Sequence, residues 1–356
     1  MRRYLELVPG LLGWLLVTLV AEAATIWSSI EMFHEGWWGS VPHRFVYLVP
    51  GFVVTLLVAI PVRWPKAGGW FLGTVGLALV IFWRHFFSNQ LGLEIAIPFV
   101  VAALLFIMEG WRLNKIERGI LQPFSLPFCS DSHIFCRYPR LSITLGLPLL
   151  SFVAVALTWG ILLSQRVDDG NRGARRITTH EVDLVWAPAG PGWARGYLQG
   201  EEKQADLEVG GRGFDNPSWN QIALYGSADS TLHNASAEEM EEFCLCRYLT
   251  EDGLSLAETP QDIWRLPTLQ ELAFSLPHHG QSAGCVWDGR PGSMKCTHRP
   301  DKETPLWAPE RSPIYLLSST EESEGTVWFV SFNGQVRHTP KSWGNPRHGF
   351  RCVRNP

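Results

Sequence analysis

Five histidines in the C-terminal half of the sequence are the side chains best suited to acid–base or metal chemistry. Imidazole titrates near neutral pH and is the commonest metal ligand in proteins. The histidines are His278, His279, His298, His338 and His348, and two carboxylates of the same region, Asp288 and Glu310, could act with them. No spacing among them matches a metal-binding or catalytic-triad signature. The sequence therefore predicts no catalytic residue, no metal site and no cofactor.

Aromatic rings in the same region favour binding rather than catalysis. Trp287, Trp307 and Trp343 lie in segments rich in Gly and Pro. Indole rings exposed among such loops are typical of a surface that contacts a ligand. We predict a binding surface formed by these three residues with His338 and His348. The alternative is that each indole ring fills a gap in a small hydrophobic core.

The residues before this region contain five apolar runs long enough to cross a bilayer. We place these spans at about residues 5–27, 45–62, 70–87, 91–111 and 141–163. They define a transmembrane helical domain at residues 1–164. A polar linker follows at 165–178, and a second domain occupies 179–356.

Basic residues are concentrated in alternate loops between the spans. Arg2 and Arg3 precede the first span, and Arg63 and Lys66 separate the second from the third. Between the fourth and fifth spans lie Arg112, Lys115, Arg118, Arg137 and Arg140. Since such residues stay in the cytoplasm, we predict a cytoplasmic N-terminus. Five crossings then place the second domain outside.

One carboxylate, Glu22, falls within the outer part of the first span, where a charge is costly. Arg84, near the end of the third span, lies towards the same leaflet, so the two side chains could pair. A functional interpretation is a polar site or an ion path. We favour the alternative, which is a packing ion pair or a side chain that reaches the membrane interface.

Helix and strand signals in the second domain indicate an α+β architecture. Thr268 and Glu271 form a predicted capping box that opens a short helix after Pro267. Ser236 and Glu239 open another helix, predicted to continue to about residue 248. The apolar run at 326–332 precedes Asn333-Gly334, which is the strongest short-range hairpin signal. A last strand is predicted at 349–354.

Five cysteines lie in the domain that we place outside, where disulfide bonds form. Cys285 and Cys296 bracket a loop and make a natural local pair. Cys352, in the last strand, must reach back to Cys244 or Cys246. A helix turns about 200° over two residues, so only one of these two faces the sheet. We favour Cys244–Cys352, which leaves Cys246 free or paired between chains.

Four motifs in this order resemble the C-terminal domain family of the collagen-like adhesin of Legionella, a bacterial branch of the C-type-lectin-like fold. The motifs are Trp264-Arg265-Leu266-Pro267-Thr268 with Glu271-Leu272, Leu317-Ser318-Ser319-Thr320-Glu321, Val327-Trp328-Phe329-Val330-Ser331-Phe332 and Gly349-Phe350-Arg351-Cys352-Val353-Arg354. The resemblance covers about residues 180–356. It implies a C-type-lectin-like domain in a bacterial inner-membrane protein, presented in the periplasm or outside the cell. The membrane half resembles no family that we recognise.

The same motifs are similar to those of formylglycine-generating enzymes, which modify sulfatases and share this fold. Those enzymes use a pair of cysteines just before the C-terminal strand. The corresponding stretch here, from Trp328 to Trp343, contains no cysteine. The resemblance therefore favours ligand binding over oxidase chemistry.

We expect a membrane protein whose outer domain binds a glycan, a peptide or a partner protein. Two alternatives remain: an enzyme similar to sulfatase-modifying factors, and a structural or signalling subunit of a membrane complex. The formal net charge of −4 gives no electrostatic footprint for nucleic acid.

Overall fold

The computed structural model describes residues 8–38, 41–87, 91–118, 139–188, 217–227, 233–310, 313–344 and 347–356. The chain divides into two compact units, Met1–Ile161 and Leu162–Pro356. The first unit is helical, and the second combines strands with short helices.

In the described part of the first unit, five helical segments are long and apolar enough to cross a membrane, as predicted. They are α1 (Val8–His34), α2 with α3 (Val41–Val46 and Val49–Arg63), α4 (Pro65–Phe87), α5 (Leu91–Glu117) and α6 (Pro139–Ser164). Helices satisfy every backbone polar group internally, which hydrocarbon surroundings require. The chain is thus organised as a multi-pass membrane protein.

Small side chains let these helices approach one another closely, as is common between membrane helices. A Cβ added to Gly69 of α4 would meet the Ala103 carbonyl oxygen of α5 at 2.9 Å. A Cβ on Gly51 would meet the Thr25 Cα at 3.0 Å, which marks the contact of α3 with α1. The buried core of this unit consists of Val17, Ala21, Val58, Leu72, Ala102, Ala103 and Phe106.

Polar contacts join α6 to α1. Trp14 Nε1 donates to Thr144 Oγ1 at 2.9 Å, and the hydroxyls of Thr18 and Thr144 lie 3.0 Å apart. Further along α1, Ser151 donates a hydrogen bond to Glu22 Oε1. Trp14, Thr18 and Glu22 are spaced four residues apart, so they share one face of the helix.

Glu22 lies well inside α1, because the helix continues beyond the predicted end of the first span. Because α1 continues to His34, Glu22 is roughly 18 Å from the helix end at 1.5 Å per residue. The proposed partner, the Arg84 side chain, lies outside the described residues.

The second unit begins earlier than predicted, because residues 165–178 are part of it. Arg166 forms an ion pair with Asp301 at 2.7 Å. Arg172 pairs with Asp168 and Glu310, each at 2.7 Å. Charged side chains of the predicted polar linker are therefore paired within this unit.

A three-stranded antiparallel sheet brings distant parts of the second unit together. It contains β1 (Arg175–Thr178), β2 (Asp183–Trp186) and β12 (Val353–Arg354), with β2 in the centre. The strand predicted at 349–354 is not continuous: only Val353 and Arg354 belong to β12, and the preceding Arg351 is buried. Arg351 donates to the carbonyl oxygens of Ala187 at 2.5 Å and Leu306 at 2.6 Å.

A five-stranded sheet has the order β11-β8-β9-β10-β6. Its strands are β6 (Gly292–Ser293), β8 (Tyr315–Ser323), β9 (Thr326–Ser331), β10 (Gln335–Pro340) and β11 (His348–Gly349). The turn between β9 and β10 is the predicted Asn333-Gly334 hairpin, with Gly334 at φ +79°. Two small two-stranded ladders lie outside this sheet: β3 (Pro277–His278) pairs with β4 (Gln281–Ser282), and β5 (Cys285–Val286) pairs with β7 (Lys295–Cys296).

Three short helices each begin with a capping box. They are α7 (Trp219–Ala223), α8 (Ala237–Phe243) and α9 (Leu269–Phe274). In α9 the Thr268 hydroxyl accepts from the Glu271 N–H, and the Glu271 carboxylate accepts from the Thr268 N–H. Arg265 holds that carboxylate through contacts of 2.5 and 2.8 Å. The box at Ser218 and Gln221 was not predicted.

The predicted pairing of Cys244 with Cys352 is wrong. Cys352 bonds to Cys246, and Cys285 bonds to Cys296 as predicted. The error arises because α8 ends at Phe243, so Cys244 adopts an extended backbone and the chain then turns into a short 3₁₀ helix. The rotation expected of a continuous α-helix does not apply there. Cys244 is a buried free thiol.

Candidate functional site

The five residues predicted to form one binding surface are distributed over three places. Trp307 is 5% exposed and lies in the interior, so its prediction as a surface residue is wrong. Trp287 and His338 both pack against Trp328, with ring centres 5.5 and 5.6 Å from it. Trp343 lies beside His348, with ring centres 5.6 Å apart.

The last two groups occupy opposite faces of the five-stranded sheet. Trp328 and Phe329 are neighbours in β9, so their side chains point in opposite directions. Trp328 contacts His338, whereas Phe329 contacts His348, with ring centres 4.7 Å apart. The sequence prediction thus combined residues that cannot contact the same small ligand.

The group that contains Trp343 forms an aromatic enclosure around His348. Because β11 runs parallel to β8, His348 is paired with Tyr315, and their ring centres are 4.9 Å apart. Phe329 closes a second side, and Trp343 lies at the surface. His348 is 5% exposed, whereas Trp343 is 51% exposed. An exposed indole ring therefore lies next to a buried imidazole.

Burial lowers the pKa of His348 to about 4, so its ring is neutral at pH 7. A neutral imidazole has one N–H donor and one acceptor nitrogen. Neither nitrogen has a hydrogen-bond partner among the described residues. Buried polar atoms are normally hydrogen-bonded, and an unmade bond costs about 1–3 kcal/mol. Both nitrogens are closed to solvent, so a hydroxyl group can reach them only where the enclosure opens, whereas the exposed face of Trp343 can already stack on an apolar surface.

Three of the other histidines are brought together on the β3–β4 hairpin and the segment after β7. The ring of His278 lies 4.2 Å from that of His279 and 5.1 Å from that of His298, measured between centres. Glu303, a carboxylate only 2% exposed, lies 3.7 Å from His279 Nδ1. The sequence prediction did not group these residues, although Pro277, two histidines and a glycine in a row are consistent with a tight turn.

The two carboxylates considered with the histidines do not join them. Glu310 pairs with Arg172 at 2.7 Å. Asp288 accepts a hydrogen bond from the Arg290 N–H at 3.3 Å within its own loop. Neither arrangement resembles a general acid or base held against a nucleophile.

The first unit also contains a compact group of possible metal ligands. The group lies at the end of α1 and consists of Glu31, His34 and Glu35. Each residue has one possible ligand atom within 4.8 Å of those of the other two. All three are half-buried and lie at the carboxyl end of a helix, where positive charge is favoured. Acidic side chains often lie close together without binding an ion.

A cavity of about 320 Å³ lies between α1, α3 and α6. Its polar lining groups are bonded to one another: the Thr25 and Thr55 hydroxyls are 3.3 Å apart, and the Gly51 N–H donates to Ser28 Oγ at 2.9 Å. The remaining lining, which includes Phe152, is mainly apolar. The cavity suits hydrocarbon and offers no specific polar recognition.

Comparison with models of known protein families, with curated proteins and with solved structures finds no match to this chain.

Proposed function

We propose that this chain is a bacterial inner-membrane protein that presents its second unit outside the cytoplasm as a ligand-binding module. In this proposal the unit has a C-type-lectin-like fold, and Trp343 and His348 contact the ligand. A glycan fits these side chains best. One face of a sugar ring is apolar and stacks on indole, while its hydroxyls can bond to both nitrogens of a neutral imidazole.

The observation that carries the proposal is the pair of unpartnered nitrogens on His348. Strands β8 and β9 supply Tyr315 and Phe329, which fix the imidazole ring from two sides. The site is therefore built on the rigid sheet rather than on a loop alone. Both nitrogens are closed to solvent, so in this proposal the Trp343 side chain turns aside to admit a ligand hydroxyl, which recovers the hydrogen bonds that burial removed from this ring.

The fold and the orientation are supported by separate observations. The fold is supported by two features that coincide with motifs of the resemblance. One is the capped helix start at Thr268 and Glu271, and the other is the buried Arg351 near the end of the unit. Disulfide bonds at Cys246–Cys352 and Cys285–Cys296 suit an oxidising compartment. The distribution of Lys and Arg among the loops favours a cytoplasmic N-terminus.

Binding is tested with the full chain in detergent, immobilised and exposed to a panel of bacterial surface glycans. We expect one class to bind, and Trp343→Ala to weaken that binding about tenfold, because aromatic contacts contribute about 0.5–1.5 kcal/mol beyond their buried area. His348→Phe keeps the ring and removes both nitrogens, so it should also weaken binding. Val286→Ala, also at a position 51% exposed, is the matched control and should bind normally.

Two results would overturn the proposal. One is glycan binding that Trp343→Ala and His348→Phe leave unchanged, because the site is then elsewhere. The other is an absence of glycan binding together with a membrane protein that copurifies in a fixed ratio and is lost on Trp343→Ala. That result favours the subunit alternative.

Orientation is tested by labelling single introduced cysteines in intact cells with a membrane-impermeant thiol reagent. The His180 side chain is almost fully exposed in the second unit, so His180→Cys should be labelled once the outer envelope is permeable. Asn114→Cys, in the loop predicted to be cytoplasmic, should react only after the inner membrane is disrupted. The reverse pattern contradicts the proposed topology.

A further inference from the structure

We infer that His278, His279 and His298 form a binding site for one divalent transition-metal ion, such as Zn²⁺, in the second unit. The site is separate from the proposed ligand site at Trp343 and does not depend on it. Imidazole is a preferred ligand for zinc, copper and nickel.

The distances between the ring centres suit a shared ion. The His278 and His298 rings are stacked, with planes 6° apart, so one ring must turn before their nitrogens converge on the ion. Two imidazoles bound to one metal through nitrogens at about 2.0–2.1 Å have ring centres roughly 5 Å apart. The centres of His278 and His298 are 5.1 Å apart, and those of His278 and His279 are 4.2 Å apart. His278 is the central member of the group.

The hydrogen bond of His278 determines which of its nitrogens is available. His278 Nδ1 lies 2.8 Å from the carbonyl oxygen of Arg299. A carbonyl oxygen only accepts, so Nδ1 carries the proton and Nε2 keeps a lone pair. Metal-bound histidines almost always donate their second nitrogen to a carbonyl or carboxylate in this way. His278 is thus fixed in the tautomer that binds a metal through Nε2.

Glu303 lies within ion-pair distance of His279, although too far for a hydrogen bond. Its carboxylate is 2% exposed, accepts the Gly280 N–H at 3.2 Å, and lies 3.7 Å from His279 Nδ1. A buried carboxylate is costly unless positive charge lies nearby. A metal ion bound to the nitrogen of His279 that faces away from Glu303 would supply positive charge. The imidazole ring would then lie between the carboxylate and the metal, as in carboxylate–histidine–metal arrangements.

The backbone also places His279 towards the group. His279 has a φ of +50°, a left-handed conformation that is uncommon for a residue other than glycine. With Gly280 at φ +76°, it forms the turn between β3 and β4. Such a conformation persists where the surroundings hold it, and it occurs often at functional sites.

The nitrogens of the three rings are not yet gathered within 4.8 Å of one another. His279 and His298 are both exposed, so their rings are free to turn about the side-chain torsions. His278 is fixed by its hydrogen bond. We expect metal binding to turn the His279 and His298 rings towards Nε2 of His278.

The test is calorimetric titration of the metal-free full chain in detergent with Zn²⁺, followed by Cu²⁺ titration with electron paramagnetic resonance to count nitrogen ligands. We expect one equivalent to bind and the copper spectrum to show imidazole nitrogens. His298→Ala should weaken zinc binding at least tenfold. Since His298 is exposed, this variant should fold normally.

Glu303→Gln tests the role of the buried carboxylate. The amide oxygen can still accept the Gly280 N–H, so the turn should be kept. Removal of such an outer carboxylate typically weakens metal binding 10–100-fold. His180→Ala, which alters an exposed histidine elsewhere in the unit, should bind zinc as the unchanged chain does.

Three outcomes would overturn the inference: no stoichiometric zinc binding, binding that survives both His278→Ala and His298→Ala, or binding that is lost on His34→Ala. The last outcome would place the ion at Glu31, His34 and Glu35 of α1 instead.

Discussion

The indole ring of Trp343 lies 5.6 Å from the imidazole ring of His348, and the two differ tenfold in exposure, at 51% and 5%. The enclosure keeps the imidazole neutral because burial disfavours its charged form. The same burial that prepares the ring for hydroxyl groups therefore makes its protonation costly. This cost has a measurable effect on stability.

The second unit should lose stability as the pH falls. The pKa of His348 is about 4 in the folded chain and about 6.5 when unfolded, so the unfolded state takes up the proton first. The contribution of the neutral His348 ring to the free energy of unfolding is fully present above pH 6.5. As the pH falls towards 4, the free energy of unfolding decreases by roughly 3 kcal/mol. Urea unfolding at pH 7 and pH 4.5, followed by tryptophan fluorescence, measures it.

His348→Phe is the matched variant for this pH dependence, because it keeps a ring of similar shape without a titrating group. The difference in unfolding free energy between pH 7 and pH 4.5 should shrink by about 2–3 kcal/mol in this variant. An unchanged difference would show that another group is responsible.

Cys246→Ala should destabilise the second unit much more than Cys244→Ala. Loss of a native disulfide typically costs about 2–5 kcal/mol, and Cys246 closes a loop of 106 residues with Cys352. Burial raises the pKa of the Cys244 thiol to about 11, so it should resist alkylation until the chain unfolds. Peptide mapping without reduction should recover Cys246 bonded to Cys352. A peptide that links Cys244 to Cys352 would contradict the structure.

Gly334→Ala should destabilise the β9–β10 hairpin by about 1–2 kcal/mol, because φ +79° is strained for any residue with a Cβ. The added methyl group would also lie 3.1 Å from Pro300 Cγ. Thermal unfolding measures the loss. Gly325→Ala is the control, since its nearest neighbour would be 3.8 Å away, and it should have little effect.

Thr268→Ala should cost about 1 kcal/mol, because the hydroxyl that accepts the Glu271 N–H is removed. Thr268→Ser keeps that hydroxyl and should be close to neutral. Burial acts to raise the pKa of Glu271, but the hydrogen bonds from Arg265 and Thr268 outweigh it and hold the pKa below its usual value. Chemical unfolding of the two variants in parallel gives the comparison. Equal losses would mean that the hydroxyl does not cap α9.

Thr18→Cys and Thr144→Cys should form a disulfide on mild oxidation, because the two hydroxyl oxygens lie 3.0 Å apart. The link is detected as a joined product when the chain is expressed in two pieces divided between α5 and α6. Thr18→Cys with Leu150→Cys is the control, since Leu150 is 67% exposed and lies on another face of α6. A link in the control alone would contradict the contact between α1 and α6.

Local signals in the sequence predicted local structure well. The capping box at Thr268 and Glu271 and the Asn333-Gly334 turn depend on neighbours within a few residues, and both are present. The five apolar segments were visible for the same reason, although α1 continues to His34 through polar residues that hydropathy does not favour.

Features that depend on the packing of distant segments were missed. The partner of Cys352 depended on where α8 ends, which tertiary contacts decide. Trp307 and Trp343 lie in similar Gly- and Pro-rich sequences, yet one is buried and the other exposed. The grouping of His278 with His298 depends on how the segment after β7 folds back onto the β3–β4 hairpin, and spacing along the chain does not show this.

The pairing of β12 with β2 has a consequence for biosynthesis. Val353 of β12 pairs with Trp186 of β2. One edge of β2 therefore remains unpaired until nearly the whole second unit has left the ribosome. Contacts so distant in sequence are slow to form, and an open edge can associate with other chains in the meantime. Folding of the unit therefore has a vulnerable interval, during which a chaperone or a thiol oxidase would have its greatest effect on yield.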